Sequence, residues 1–130
     1  MNPDSAGLLL KRVAAVYAAA QTYQDRGTVS RTMHTAEHTL SRQQSFITAY
    51  SRIDGRFRFE FTVPWPMPVP GMADRRQIIF RDGIRLEHWA TTGRETTTPT
   101  SLERLVAGAT GISGGAAYNI PSLLIPELGG

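Results

Sequence analysis

The chain has 130 residues, 41% of them hydrophobic and 19% charged, with a net charge of +3 and no cysteine. That is one domain's worth of chain with enough apolar content for a core, which excludes a wholly disordered segment. Without cysteine there is no disulfide, no thiolate metal site and no cysteine nucleophile, and no apolar run is long enough to span a bilayer as a helix.

The first residues show no basic stretch followed by a long apolar core, so no signal peptide is expected. Leu9, Val13, Val16, Ala20 and Tyr23 recur at spacings of four and three, the stripe of an amphipathic helix. With Asp4 or Ser5 as N-cap and Gly27 as terminator, the spacing predicts a helix from about Asp4 to Tyr23. Thr28 to Thr35 places Val29, Arg31 and Met33 on one face and reads as a strand. A polar segment, residues 36–42, follows. Gln44 to Arg52 is a second strand, with Phe46, Thr48 and Tyr50 on one face and Ile47 and Ala49 on the other. Asp54-Gly55 then signals a hairpin turn.

Arg56-Phe57-Arg58-Phe59-Glu60-Phe61-Thr62 is the strongest pattern in the chain. Its period of two puts three phenylalanines on one face of a strand and the charges on the other, as in an antiparallel sheet with one dry and one wet face. Prolines 64, 66, 68 and 70 alternate next. Proline cannot donate to a sheet ladder, so this is an extended connection or an edge, with Trp65, Met67 and Val69 packing on the protein. Gln77 to Arg81, the Asp82-Gly83 turn and Ile84 to Ala90 form a second hairpin, with Leu86 facing one way and Glu87 and Trp89 the other.

Thr91 to Thr98 is polar. Thr100 and Glu103 make a capping box opening a short helix with Leu102, Leu105 and Val106 apolar. The tail from Ala116 to Leu128, broken by prolines 121 and 126, predicts a helical turn or two on the sheet. The elements together predict a single α+β domain over residues 1–130: an N-terminal helix, a one-sided antiparallel sheet and short C-terminal helices.

Three patterns imitate chemistry. His34-Thr35-Ala36-Glu37-His38 matches H-x-x-E-H, which on a helix would hold zinc with Glu37 as general base. Its flanks are strand-like, the third ligand would have to be as remote as Glu103, and a solvated loop is the expected reading. Residues 108–114 resemble a nucleotide-binding glycine loop. However, they follow a helix rather than a strand, and they lack the lysine of a P-loop, so a helix-to-helix connection is expected. Arginines interleaved with phenylalanine over 56–61 suggest a nucleic-acid stacking surface, but alternation separates rings from charges onto opposite faces. Neither catalysis, a metal, a cofactor nor nucleic-acid binding is therefore expected. The positive balance leaves at most peripheral contact with an anionic membrane surface, and is also what a plain basic protein carries.

Ser51-Arg52-Ile53-Asp54-Gly55-Arg56-Phe57-Arg58-Phe59-Glu60 resembles the arginine-led aromatic strand of the LolA/LolB-type lipoprotein-carrier superfamily. Ile79 to Trp89 resembles that family's apolar, Asp-Gly, aromatic-ended hairpin. Tyr23 to Val29 resembles its helix-to-strand junction, and Leu102 to Ile125 the tail of uncharacterised LolA-like envelope proteins. The chain departs from the pattern at Ile53, where proline is usual, and at Gly55, an insertion. It also stops where the family adds further strands, which implies a fragment or a short form that completes its sheet on another chain.

The resemblance implies a curved, incomplete half-barrel with helices packed on its concave face as a lid. It implies non-catalytic binding of acyl chains or a lipoprotein in the periplasm or cell envelope. Phe46, Tyr50, Phe57, Phe59, Phe61 and Trp89 would line the cavity. Leu123, Leu124 and Ile125 would belong to the lid, and Arg52 would latch it. The alternative is a structural or protein-interaction domain whose apolar face is only core.

Overall fold

A strand whose three rings all point one way needs a cover, and the chain supplies it from its C-terminal end. A computed structural model describes residues 3–64, 71, 74–90 and 101–128. The elements run α1 (Pro3–Ala19), β1 (Thr22–His34), β2 (Thr39–Ser51), β3 (Arg56–Val63), β4 (Arg75–Asp82), β5 (Arg85–Ala90), α2 (Leu102–Thr110) and α3 (Ala116–Leu124). The strands form one open antiparallel sheet in sequence order. This is the expected α+β architecture.

The registers fix the faces. Tyr50 pairs with Phe57, Phe57 with Arg81 and Arg81 with Leu86; Thr48 with Phe59, Phe59 with Ile79 and Ile79 with His88; and Phe46 with Phe61. Directly paired residues share a face, so these side chains form the inner face. The outer face takes Ala49, Arg58, Phe80 and Glu87 in one row and Ile47, Glu60, Ile78 and Trp89 in the next. Both Asp-Gly turns form where expected, with Gly55 and Gly83 at positive φ, a conformation that costs glycine nothing.

The cover follows from helical spacing. In α2, Leu102, Leu105, Val106 and Ala109 lie at i, i+3, i+4 and i+7 and are all buried. With Ala116, Ala117, Leu124, Ile125 and Leu128 they share one core with Tyr50, Phe57, Phe59, Phe61 and Ile79. The cap of α2 is Ser101, whose Oγ accepts from the Arg104 N–H at 3.2 Å. The predicted cap Thr100, the segment 91–98 and residues 65–70 of the proline run lie outside the described residues.

Two expectations fail in the first thirty residues. α1 stops at Ala19, and Tyr23 already belongs to β1. Gly27 does not end the helix: it lies in mid-strand opposite Phe46, and a Cβ there would run into the Phe46 ring. That ring lies across the bare glycine backbone and stacks on Phe59, with centroids 5.7 Å apart. The strand β1 therefore continues through a residue that reads as a helix terminator. The apolar stripe of α1 is also largely bare. Tyr17 and Ala20 just past the helix reach the core, while Leu9, Val13 and Val16 of the predicted stripe stay exposed, as do Leu8 and Leu10.

Gly27→Ala is expected to cost about 1–3 kcal/mol, because the trapped ring has to move. Denaturant titration of a double-mutant cycle checks this: in a Phe46→Ala background the same change should cost nothing. A second expectation concerns His88, whose basicity burial lowers. The folded state prefers the neutral ring, so its contribution is present above the unfolded value near 6.5 and is lost as pH falls below it. His88→Gln should flatten that part of the thermal-stability profile between pH 7 and pH 5.

Candidate functional site

Phe57, Phe59 and Phe61 are 2%, 0% and 1% exposed. At that exposure no open cavity lies over these rings among the described residues, and α2 and α3 cover them. Tyr50 and Leu124 are buried with the three rings, while Phe46 and Leu123 are half-buried. Five of the six expected lining residues thus lie in or against this one core, as do the lid residues Leu124 and Ile125, with Leu123 beside it on α3. Trp89 does not. It pairs with Ile78 on the outer face and is exposed, because β5 alternates Leu86 and His88 inward against Glu87 and Trp89 outward.

Arg52 sits at the junction where cover, helix and sheet meet. Its Nε donates to the Ala20 carbonyl at 2.8 Å, and its Nη2 donates to the carbonyls of Tyr17 at 3.1 Å and Leu124 at 2.9 Å. The backbone N–H of Arg52 adds a bond to the Gln21 carbonyl at 2.8 Å. The C-terminal ends of α1 and α3 each leave unpaired carbonyls and the negative end of a helix dipole, and one guanidinium serves both. The planar group also lies 5.2 Å from the centroid of the Tyr50 ring. Tyr17 packs edge-on against Tyr23, with centroids 5.5 Å apart. The Tyr23 hydroxyl donates to Asp25 at 2.8 Å; burial first, and then that carboxylate, push its pKa well above the ordinary phenol value, so it is a weaker acid.

A second fastening was not anticipated. Gln44, 7% exposed, uses its amide nitrogen twice, donating to Thr62 O at 2.9 Å and to Ile112 O at 2.6 Å. It ties the α2–α3 connection to the far end of β3. Gly114 there has positive φ, and any Cβ would meet Val29 and Arg31, so the loop lies close on the β1–β2 ribbon. The glycine-rich run 108–114 thus ends α2 and begins the turn into α3, as expected of a helix connection. Position 44 shares the inner face with Phe46, Thr48 and Tyr50. A lone amide in an apolar alternation was the available signal. Thr48 carries a buried hydroxyl with no hydrogen-bond partner among the described residues.

The outer face holds an open trough of about 850 Å³ floored by Ala49, Ile78, Phe80 and Trp89. Arg56, Arg58 and Arg85 line it from that face. Each already faces a carboxylate: Asp82 at 3.2 Å, Glu60 at 3.1 Å and Glu87 at 2.9 Å respectively. The charge is compensated, and exposed pairs of this kind contribute little.

His34 ends β1 and His38 lies in the turn beyond, where Thr35 Oγ1 donates to the His38 carbonyl at 2.9 Å. The H-x-x-E-H motif is a hairpin tip, not a helix, so its histidines do not share a helical face. Among the described residues no group of three histidine, aspartate or glutamate side chains could hold a metal ion. Nor is any helix among them long and apolar enough to cross a membrane.

Comparison with protein-family models, with curated proteins and with solved structures returns no match for this chain.

Arg52→Leu should destabilise the fold by about 2–4 kcal/mol, since three carbonyls lose a charged donor at once. Arg52→Lys should recover only part of it, because one ammonium cannot reproduce the planar fork. Chemical denaturation of the three proteins checks both.

Proposed function

We propose that this domain binds an acyl-bearing ligand, a fatty acyl chain or lipoprotein, without catalysis, on the phenylalanine face beneath α2 and α3. The observation that carries the reading is Arg52. It joins the end of the covering helix to the end of α1 by hydrogen bonds that involve only carbonyls, so they can be broken and remade without repacking a side chain.

The energetics permit an exchange. Lifting the cover exposes Leu102, Leu105, Val106, Leu124 and Ile125, at about 1.5–3 kcal/mol each. An acyl chain returns about 0.8 kcal/mol per buried methylene, so a dozen methylenes offset most of that loss. The unpartnered Thr48 hydroxyl at the centre of the face is a donor available to an ester or carboxyl oxygen. The resemblance of the Arg52 strand and the Asp-Gly hairpin to lipoprotein carriers implies the periplasm or cell envelope as the setting.

A second reading, a structural or interaction domain whose apolar face is only core, draws on the near-complete burial of the three phenylalanines.

Titration with a fluorescent fatty acid, together with native mass spectrometry of the purified protein, separates the two. Saturable binding that is lost in Phe59→Glu, tightened in Arg52→Lys and retained in Trp89→Ser supports the carrier reading. Absence of both copurified and added lipid leaves the second reading. Loss in Trp89→Ser alone would move the site to the outer trough.

A further inference from the structure

The sheet is open, and its two edges differ. β5 has six residues, whereas β1 has thirteen. Nothing among the described residues pairs with the outer side of β1, which contains no proline. Long unprotected edges of this kind are templates for another strand.

Hydrogen bonding fixes which residues could be used. Thr35 N–H bonds to the His38 carbonyl. From that bond the antiparallel ladder makes the odd-numbered residues of β1 bond to β2, and leaves the N–H and C=O of Thr22, Gln24, Arg26, Thr28, Ser30, Thr32 and His34 pointing outward. The odd-numbered side chains lie on the inner face, where Asp25 is half-buried and Arg31 exposed. Asp25 accepts from the Tyr23 hydroxyl and from Thr48 N–H, two of the roughly four bonds a carboxylate can accept. Among the described residues it has no cationic partner and Arg31 no carboxylate. These are opposite charges on one edge, six positions apart, each without an ion-pair partner among the described residues.

We propose that two copies of this chain pair through β1, antiparallel about a two-fold axis at Thr28, making one continuous ten-stranded sheet. The parity is right: outward-pointing even residues meet outward-pointing even residues, Thr28 against the partner's Thr28 and Arg26 against the partner's Ser30. In this register Asp25 faces the partner's Arg31, and Arg31 faces the partner's Asp25, so both lone charges are matched twice over by a single symmetry operation. Tyr23 faces the partner's Met33, and the bare Gly27 faces the partner's Val29. No like charges meet.

The exposed apolar surface lies on the same side. Met33 and Leu40, paired across the β1–β2 ribbon, are 51% and 44% exposed and lie on the inner face. α1 lies on that face too, through Tyr17 on Tyr23, with Leu8, Leu9, Leu10, Val13 and Val16 exposed. The two-fold brings the Met33–Leu40 end of one copy to the Tyr23 end of the other, beside α1. Two apolar surfaces that water would otherwise cover are thereby brought together.

Analytical ultracentrifugation with native mass spectrometry tests the inference on the full chain. The expected mass is twice 14.3 kDa. Thr28→Pro removes an outward N–H without touching the β2 ladder, and should yield monomer with an unchanged circular dichroism spectrum. Arg31→Asp should weaken the dimer by at least about tenfold, since two symmetry-related attractions become repulsions. Mixing Arg31→Asp chains with Asp25→Arg chains should give a heterodimer tighter than either variant's homodimer. A wild-type chain that stays monomeric at 100 μM, or a dimer indifferent to both Thr28→Pro and Arg31→Asp, overturns it. The result is independent of whether the phenylalanine face takes a lipid.

Discussion

The structure depends on one constraint: a single-layer sheet with three phenylalanines on one face cannot leave that face in water. Each ring is worth about 1.5–3 kcal/mol of burial, and Phe57, Phe59 and Phe61 are next but one to each other on the same strand. The described residues form one sheet and no second to cover them. The covering is done by two nine-residue helices, each too short to be stable alone, whose buried residues exist to meet the rings. The sheet and its cover are therefore one cooperative unit, and neither is a scaffold for the other.

A cover made of short helices needs fastening at its ends, because its backbone groups there have no helical partners. The fold answers with two side chains, one on β2 and one at the residue that follows it. Gln44 holds the connection between α2 and α3, and Arg52 holds the end of α3 and the end of α1. Gln44 is on β2 and Arg52 is the residue just past its end, eight positions on, so one catch sits along the strand and the other where the chain leaves it. The catches are unlike. The guanidinium gathers carbonyls at two helix ends and brings charge to them. The amide is neutral and sits deep, satisfying one sheet carbonyl and one loop carbonyl together. An arrangement in which every fastening bond runs from a side chain to a carbonyl can be released without tearing apart packed side chains.

Much of this was legible from period two. Alternation grouped Phe57, Phe59 and Phe61 on one face of their strand and Phe46 with Tyr50 on one face of theirs, and the Asp-Gly pairs marked both turns, because these signals are local. Three features were not local. Gly27 looks like a helix terminator until Phe46 is known to lie across it, and only the β1–β2 register reveals that. Trp89 is a large aromatic ring on the outer face, and its alternation with His88 said so, although its size suggested a place with the other rings. Gln44 breaks an apolar alternation with an amide whose two acceptors are eighteen and sixty-eight residues away. Sequence spacing cannot show such a partner; it can show only that a polar group stands where burial will require one.

The distribution of bare apolar surface is the last consequence of the single-layer design. One face of the sheet is closed by α2 and α3 and the other is wet, so unsatisfied surface collects at the margin, along α1 and the end of the β1–β2 ribbon. A helix of seventeen residues with five large apolar side chains exposed does not stand well in water on its own account. It adjoins a strand edge that, among the described residues, has no pairing strand and carries two charges of opposite sign without an ion-pair partner. Backbone, charge and apolar surface are thus all incomplete at one margin. The second copy proposed above, related by a two-fold, would complete all three together, whereas a partner matched to only one of them would leave the others as costly as before.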